Sequence, residues 1–221
     1  MQERDRSPWR LVWVACAASL ISLILAFAAF FFVGQRMARS VKAQMADPAL
    51  RRTKAGAVLH AEAFPGGYRA TLGLSVPMFG RVAVLEQGSP DRGLFLYLES
   101  RGAQARAEPH GERFRRLLDV RGLRLDSGEP VAAGDLVIGA QALSFRTSRG
   151  RLHEPPEGEW DALVALVDIE CRPSQKIARF GVWIEADPAP DHPVDALDLS
   201  GTPADPEAIR TFLSGFRFCN Y

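Results

Sequence analysis

Hydrophobic and polar positions divide the chain into two regimes. From Leu11 to Val33, 23 consecutive residues carry no charge, proline or glycine. As a helix this run is about 34 Å long, enough to cross a hydrocarbon core of about 30 Å with some tilt. A cleaved signal peptide fits less well, because its apolar region is about 7 to 15 residues long and ends at a small-x-small site. Here Ala26-Phe27-Ala28 has that pattern but lies inside the run, with Ala29 to Val33 still apolar behind it. A lipidated Cys16 is disfavoured too, since only five apolar residues precede it and Trp13 stands where a small aliphatic side chain belongs. A buried core helix would show a polar stripe, and this run has none. The pattern therefore predicts an uncleaved transmembrane anchor. Residues 1–10 form a short charged tail, and Trp9 and Trp13 flank the start of the run where amphipathic rings favour the interface. Residues 34–46 are a basic juxtamembrane segment whose Arg and Lys can snorkel to anionic headgroups.

Beyond residue 46 the periodicity is that of a mixed domain. Asp47-Pro48 reads as an N-cap followed by proline at the first helical position. The following ALRRTKAGAVLHAEA predicts a helix of about 14 residues with Leu50, Lys54, Ala57, Val58 and Ala61 on one side. Phe64-Pro65-Gly66-Gly67 ends it. From Tyr68 the period becomes two. Tyr68, Ala70, Leu72, Leu74 and Val76 alternate with Arg69, Thr71, Gly73 and Ser75, which predicts a strand with one face buried and one wet. Arg81 to Glu86 and Leu94 to Glu99 continue as two further strands of an antiparallel meander.

The middle is less periodic. Gly111 to Val120 reads as a short helix or as the approach to a strand over Val120 to Leu125, and residues 128–152 suggest two or three short strands. A clear pair follows in Leu163 to Cys171 and Ile177 to Glu185, joined at Pro173-Ser174, with the alternation of a half-buried hairpin. Asp205-Pro206 repeats the cap-and-proline signal and opens a helix with Ile209, Phe212 and Leu213 inward; Phe216-Arg217-Phe218-Cys219 then ties down the terminus. The fold class expected is α+β: one N-terminal transmembrane helix, then an antiparallel sheet with flanking helices over residues 47–221.

Charge and cysteines bear on which side of the membrane that domain occupies. Arg4, Arg6 and Arg10 precede the run, while Arg36, Arg39 and Lys42 follow it, with Arg51, Arg52 and Lys54 further on. That bias leans towards a cytoplasmic C-terminal side or decides nothing, and large domains translocate with little regard to their own charge. Cys171 and Cys219 point the other way. They are the only cysteines outside the apolar run, and a strand-end cysteine paired with one at the terminus suits a disulfide in an oxidising compartment. Closing that loop of about 49 residues stabilises by about 4 kcal/mol in the chain-entropy model, less any strain. The expected location is the inner membrane with a periplasmic domain.

After the first 34 residues, 187 remain, with 24 basic and 24 acidic side chains. That is enough for one single-core domain or at most two small ones, and a neutral balance excludes a nucleic-acid binder, which needs a basic field. Candidate chemistries fail on spacing. His60, His110, His153 and His192 stand apart with no ligand motif, so no metal or cofactor is expected. There is no nucleophile elbow or glycine-rich phosphate loop. The acidic loop Asp187 to Asp205 lacks the regular oxygen spacing of a calcium site and reads as solvated. Arg113, Arg115, Arg116, Arg121 and Arg124 could read an acidic ligand, but interspersed Glu108, Glu112, Asp119 and Asp126 favour a salt-bridged exposed face.

The stretch Asp47 to Pro77, DPALRRTKAGAVLHAEAFPGGYRATLGLSVP, resembles the opening of membrane-tethered bacterial extracytoplasmic domains in which a capped helix leads through a Pro-x-Gly-Tyr turn into a meander. The closing helix ending in Phe216-Arg217-Phe218 is similar to the last helix of the PsbP/Mog1-like group of small α+β domains. Both resemblances bear on fold and carry no catalytic residues. The expected function is a non-enzymatic binding or assembly module of the envelope, in contact with lipid through Leu11 to Val33 and with a protein partner. The alternatives are an envelope enzyme with a dispersed site, or a subunit of a membrane complex acting through its transmembrane helix. In that second case Ala15, Ser19, Ser22, Ala26 and Ala29 offer a small-residue face for close helix approach.

Overall fold

A computed structural model of the chain describes residues 19, 22, 31–76, 80–88, 92–101, 124–154, 158–171 and 177–219. The apolar run, except for Ser19, Ser22 and Phe31 to Val33, lies outside them. So do His110, the Pro173-Ser174 turn, the segment Gly111 to Val120 and all of the Arg113 to Arg124 patch except the Arg124 backbone. Among the described residues no helix is long and apolar enough to cross a membrane. The chain divides into two compact units, Met1–Ala43 and Gln44–Tyr221. Residues 31–46 are helical (α1), and Phe31, Phe32 and Val33 are exposed on it.

The second unit is an α+β fold around a seven-stranded antiparallel sheet. Helix α2 (Pro48–Leu59) is followed by β1 (Arg69–Val76), β2 (Gly80–Gln87) and β3 (Gly93–Arg101). Then come β4 (Arg124–Ile138), β5 (Gln141–Glu154), β6 (Gly158–Cys171), β7 (Ile177–Ala186) and the closing helix α3 (Pro206–Ser214). The spatial order is β1-β2-β3-β7-β6-β5-β4. Two meanders thus meet where β7 pairs with β3, which makes β7 the central strand, flanked by β3 and β6.

Both helices start as their sequences dictate. The Asp47 carboxylate accepts from the Ala49 and Leu50 amides at 2.9 and 3.3 Å, and Asp205 accepts from the Glu207 amide at 2.9 Å, each with proline next in line. α3 buries Ile209, Phe212 and Leu213, the face its pattern predicts. The buried face of α2 differs from the expected one. It is Ala55, Val58 and Leu59, while Lys54 and Ala57 are exposed, and the helix stops at His60 instead of running on to Ala63. Gly73 explains the rotation. Lacking a side chain, it lets α2 lie directly against β1, where a Cβ would collide with the backbone of Lys54 and Ala55. Its outward amide is satisfied by the buried Gln44 side chain at 2.9 Å.

Two further expectations are corrected. Residues 128–152 form two strands, within the expected number, but long instead of short: they lie in the pair β4 and β5, joined by Gly139-Ala140, with Gly139 at φ 60° turning the chain. The strands expected to be half-buried are buried on both faces at the centre of the sheet. On β3, Phe95 and Tyr97 face one cluster and Leu94 and Leu96 the other; on β7, Trp183 opposes Val182 and Ile184 in the same way. A register shift between Ala70 and Leu72 also interrupts the β1 alternation, so that Ala70 packs with the first cluster and Leu72 with the second.

The first cluster is covered by α2, α3 and the C-terminal segment. Phe212 stacks on Trp183 at 4.2 Å and meets Tyr68 and Phe95 edge-on at 5.0 and 5.2 Å; Phe216 stacks on Phe95 and Phe218 on Tyr97, at 5.3 and 4.9 Å. Each such pair contributes about 0.5–1.5 kcal/mol beyond its buried area. The buried Gln141 amide clamps the segment, donating to the Phe216 carbonyl at 3.1 Å and accepting from the Phe218 amide at 3.2 Å. Cys171, at the end of β6, is bonded to Cys219 as expected, with Cα atoms 5.3 Å apart and a sequence separation of 48.

Reduction therefore acts on a segment that covers half the core. Thermal unfolding with and without reductant, or of Cys219→Ser, should show a loss of about 2–4 kcal/mol, a fall in Tm of about 5–15 °C for a domain of this size. An unchanged Tm would mean that the aromatic packing alone holds the terminus.

Candidate functional site

The buried charged side chains of β3, β7 and the acidic loop are neutralised locally. Glu99 is buried on β3, directly across from Arg81 on β2 and Arg179 on β7, so strand register alone sets the three side by side on the helical face. Its carboxylate accepts from Arg101 at 3.1 and 3.2 Å, lies 3.7 Å from Arg81 and 3.5 Å from the buried Arg179, and receives the Tyr97 hydroxyl at 3.5 Å. Burial, and then the neighbouring Glu99, push the Tyr97 phenol well above its usual range. Arg149 fixes the start of the acidic loop. It donates to Asp187 at 2.6 Å and to the His192 and Ala189 carbonyls at 2.8 and 3.1 Å. The expectation of a solvated loop is thus corrected at Asp187, which is buried. Asp205 is a helix cap that also accepts from the Gly201 amide at 2.9 Å.

A second polar group borders the loop 63–67. The Trp183 indole donates to the Tyr68 hydroxyl at 2.8 Å and to Glu185 at 3.0 Å, and Tyr68 donates to Glu185 at 3.0 Å. Burial and the adjacent Glu185 drive the Tyr68 phenol far up, so it stays neutral and holds the loop to the sheet.

Beside that loop the charge balance changes. A groove of about 830 Å³ opens at the end of the sheet between α2, the loop and the starts of β1 and β3. Four arginines line it: Arg51 and Arg52 from α2, Arg69 from β1 and Arg92 just before β3. Glu86 is the only acidic side chain among its described lining residues, and it accepts the Thr71 hydroxyl at 3.2 Å. None of Arg51, Arg52 and Arg69 makes an ion pair among the described residues. The Arg51 Nε is shielded from solvent and makes no hydrogen bond. Arg92 lies over the Trp160 ring at 6.0 Å, which orients its guanidinium. The half-buried Phe64 borders the same groove, and behind it Leu94 and Leu152 are buried. A second hollow of about 690 Å³ lies across the loop against α3, with Asp205 and Glu207 on its rim and no cation among its described lining residues.

The residues singled out by sequence fall elsewhere. Cys171 and Cys219 are structural. His153 sits 3.4 Å from Glu159 at a strand end, His192 is exposed, and His60 ends α2. Among the described residues no three His, Cys, Asp or Glu side chains converge as metal ligands. The groove arginines are separated by 18 and 23 positions between Arg51, Arg69 and Arg92, and Trp160 is a further 68 away, so no linear motif links them. One local signal does exist. With the N-terminus of α2 already capped by the Asp47 carboxylate, Arg51 and Arg52 follow its first turn with no acid beside them in that turn.

His60 is the only non-glycine residue with positive φ among the described residues, at 51°. Its Nε2 lies 2.9 Å from an Arg81 Nη. Arginine only donates, so this nitrogen accepts and the ring is neutral, with its proton on Nδ1. Burial and then Arg81 lower its pKa below 6.5. In the window between that lowered value and 6.5 the unfolded chain binds the extra proton, so stability is lost as pH falls through it. His60→Asn, which tolerates positive φ, should flatten the pH dependence of Tm between about pH 7 and pH 5 relative to the native chain; parallel curves would exclude His60 as the titrating group. No family model matches the sequence, and neither curated proteins nor solved structures show a match.

Proposed function

We propose that the chain is a membrane-anchored, non-enzymatic binding or assembly module of the bacterial envelope, and that it captures an anionic partner in the arginine groove. The groove is the observation that carries this reading. Four arginines and one glutamate share it, on a chain whose formal net charge is only +1. Elsewhere in the described domain Arg81, Arg101, Arg149, Arg151, Arg179 and Arg210 have carboxylates within ion-pair distance, while the exposed Arg146 and Arg217 have none among the described residues but stand singly and line no groove with other arginines. Unpaired guanidinium groups beside aromatic surface are the ordinary means of binding an anion in water.

Anchor and compartment are read from other features. Leu11 to Val33 is long enough to hold the chain in the inner membrane, and the exposed Phe31 and Phe32 belong to that run. The Cys171–Cys219 bond favours an oxidising compartment, hence a periplasmic domain.

Two measurements test the proposal. Titrating the full chain in neutral detergent with a polyglutamate and with a polyphosphate should give salt-dependent binding to at least one of them, weakened about tenfold by Arg51→Gln with Arg69→Gln. A chain that binds neither has no anion site. In intact spheroplasts, a membrane-impermeant maleimide should label Cys171 and Cys219 only after reduction. Labelling that needs permeabilised cells and no reductant would place the domain in the cytoplasm.

A further inference from the structure

Resting on the proposal that the groove binds an anion, we infer that the anionic partner is a second copy of this chain. The acidic hollow beside α3 of one copy seats on the arginine groove of the other, and the reciprocal contact forms at the same time. The two hollows share one wall. Ala63, Phe64, Pro65 and Gly66 line both, so cavities of opposite sign lie back to back across a single loop. On one side stand Arg51, Arg52, Arg69 and Arg92 against Glu86. On the other stand Asp205 and Glu207, with no cation among the described lining residues, and Asp198 acts on Asp205 from nearby. Arg210 takes up Glu207 at 2.9 Å, which leaves Asp198 and Asp205 in excess.

A partner for this surface has to bring an acidic group to the groove and answer an acidic hollow one loop away. A molecule with the same pair of hollows does both when a two-fold rotation beside the loop relates it to the first, because each groove then faces an acidic hollow and the contact is made twice. The formal net charge of +1 sets almost no overall repulsion between copies, so the local charges decide the encounter. The acidic side is held in shape before any partner arrives. Asp205 accepts from the Gly201 and Glu207 amides, both at 2.9 Å, and Asp198 from the Ser200 amide at 3.1 Å. Little ordering is left for docking to impose. Two copies anchored in one membrane, as proposed for this chain, also meet at a raised effective concentration, so a contact of modest area suffices.

The experiment is Förster transfer between donor- and acceptor-labelled copies of the full chain in phosphatidylcholine vesicles, whose headgroups carry no net charge. Transfer should be present and should fall as salt rises. Two reversals of exposed side chains test the contact from each side: Arg52→Glu with Arg69→Glu in the groove, and Asp198→Lys with Glu207→Lys on the acidic side. Each reversal alone should weaken association at least about tenfold. Mixing the two reversed chains should restore it, because both contacts of the mixed pair then join opposite charges. Should the acidic pair of substitutions not fold, as judged by its Tm, Glu207→Lys alone substitutes for it. Transfer indifferent to salt and to both reversals would show that copies meet elsewhere and overturn the inference. Reversals that weaken association without restoration in the mixture, or no transfer at all, would overturn it as well. In each of those cases titration with polyglutamate in neutral detergent separates the two readings. Binding that Arg52→Glu with Arg69→Glu abolishes leaves an anion-binding module standing, and no binding removes the anion site itself.

Discussion

The ring of Phe212, wedged between Trp183, Tyr68 and Phe95, is the contact on which the rest of the domain depends. Those three side chains belong to the central strands and to the entry of β1, and α3 supplies the ring that touches all three. Burying one such ring is worth about 1.5–3 kcal/mol, and Phe216 and Phe218 extend the same layer over Phe95 and Tyr97. The layer also joins the two helices, because the Arg217 amide donates to the Leu59 carbonyl at the end of α2 at 3.2 Å. The Gln141 clamp and the Cys171–Cys219 bond hold in place a segment that the aromatic packing has already positioned. Tyr68 connects this layer to function. Its ring packs on Phe212 while its hydroxyl fixes the loop that separates the two hollows.

Arginine does two different things in this chain. Around Glu99 and Asp187 it is structural: the charges are buried together, and removing one partner would strand the other at a penalty of about 3–5 kcal/mol. In the groove, arginines stand at the end of the sheet without carboxylate partners among the described residues, where their mutual repulsion is tolerated because water and counter-ions screen it. That repulsion is relieved whenever an anion enters. The sorting follows from burial: a paired cation can be enclosed, and an unpaired one is left where a ligand can reach it.

Sequence reasoning reached the local features of the fold and missed those that depend on pairing. Caps at Asp47 and Asp205, the inward face of α3, the first meander and the terminal disulfide are all set by residues close in sequence or by the scarcity of cysteine, and each was legible. The place of β7 beside β3 was not, because alternation in Ile177 to Glu185 looks the same in an edge hairpin and in a central strand with Arg179 buried by Glu99. The rotation of α2 turned on one absent side chain, Gly73. The groove was hidden for the same reason. Arg51 and Arg52 looked like charges near a membrane, and only the sheet brings Arg69, Arg92 and Trp160 to them.

The location of the groove follows from what the sheet has already used. Central strands of this sheet are packed on both faces, so neither face there is free to take a partner. At the β1 edge, Gln44 satisfies an outward amide and α2 lies against Gly73, which blocks an added strand. At the β4 edge, register shifts on either side of the exposed Pro130 break the ladder that an incoming strand would need. What remains is the end of the sheet, where loops replace hydrogen-bonded strands and side chains from α2, β1 and β3 can project into one space. A partner recognised there must be read by side chains instead of backbone, and the side chains present are guanidinium groups and aromatic rings.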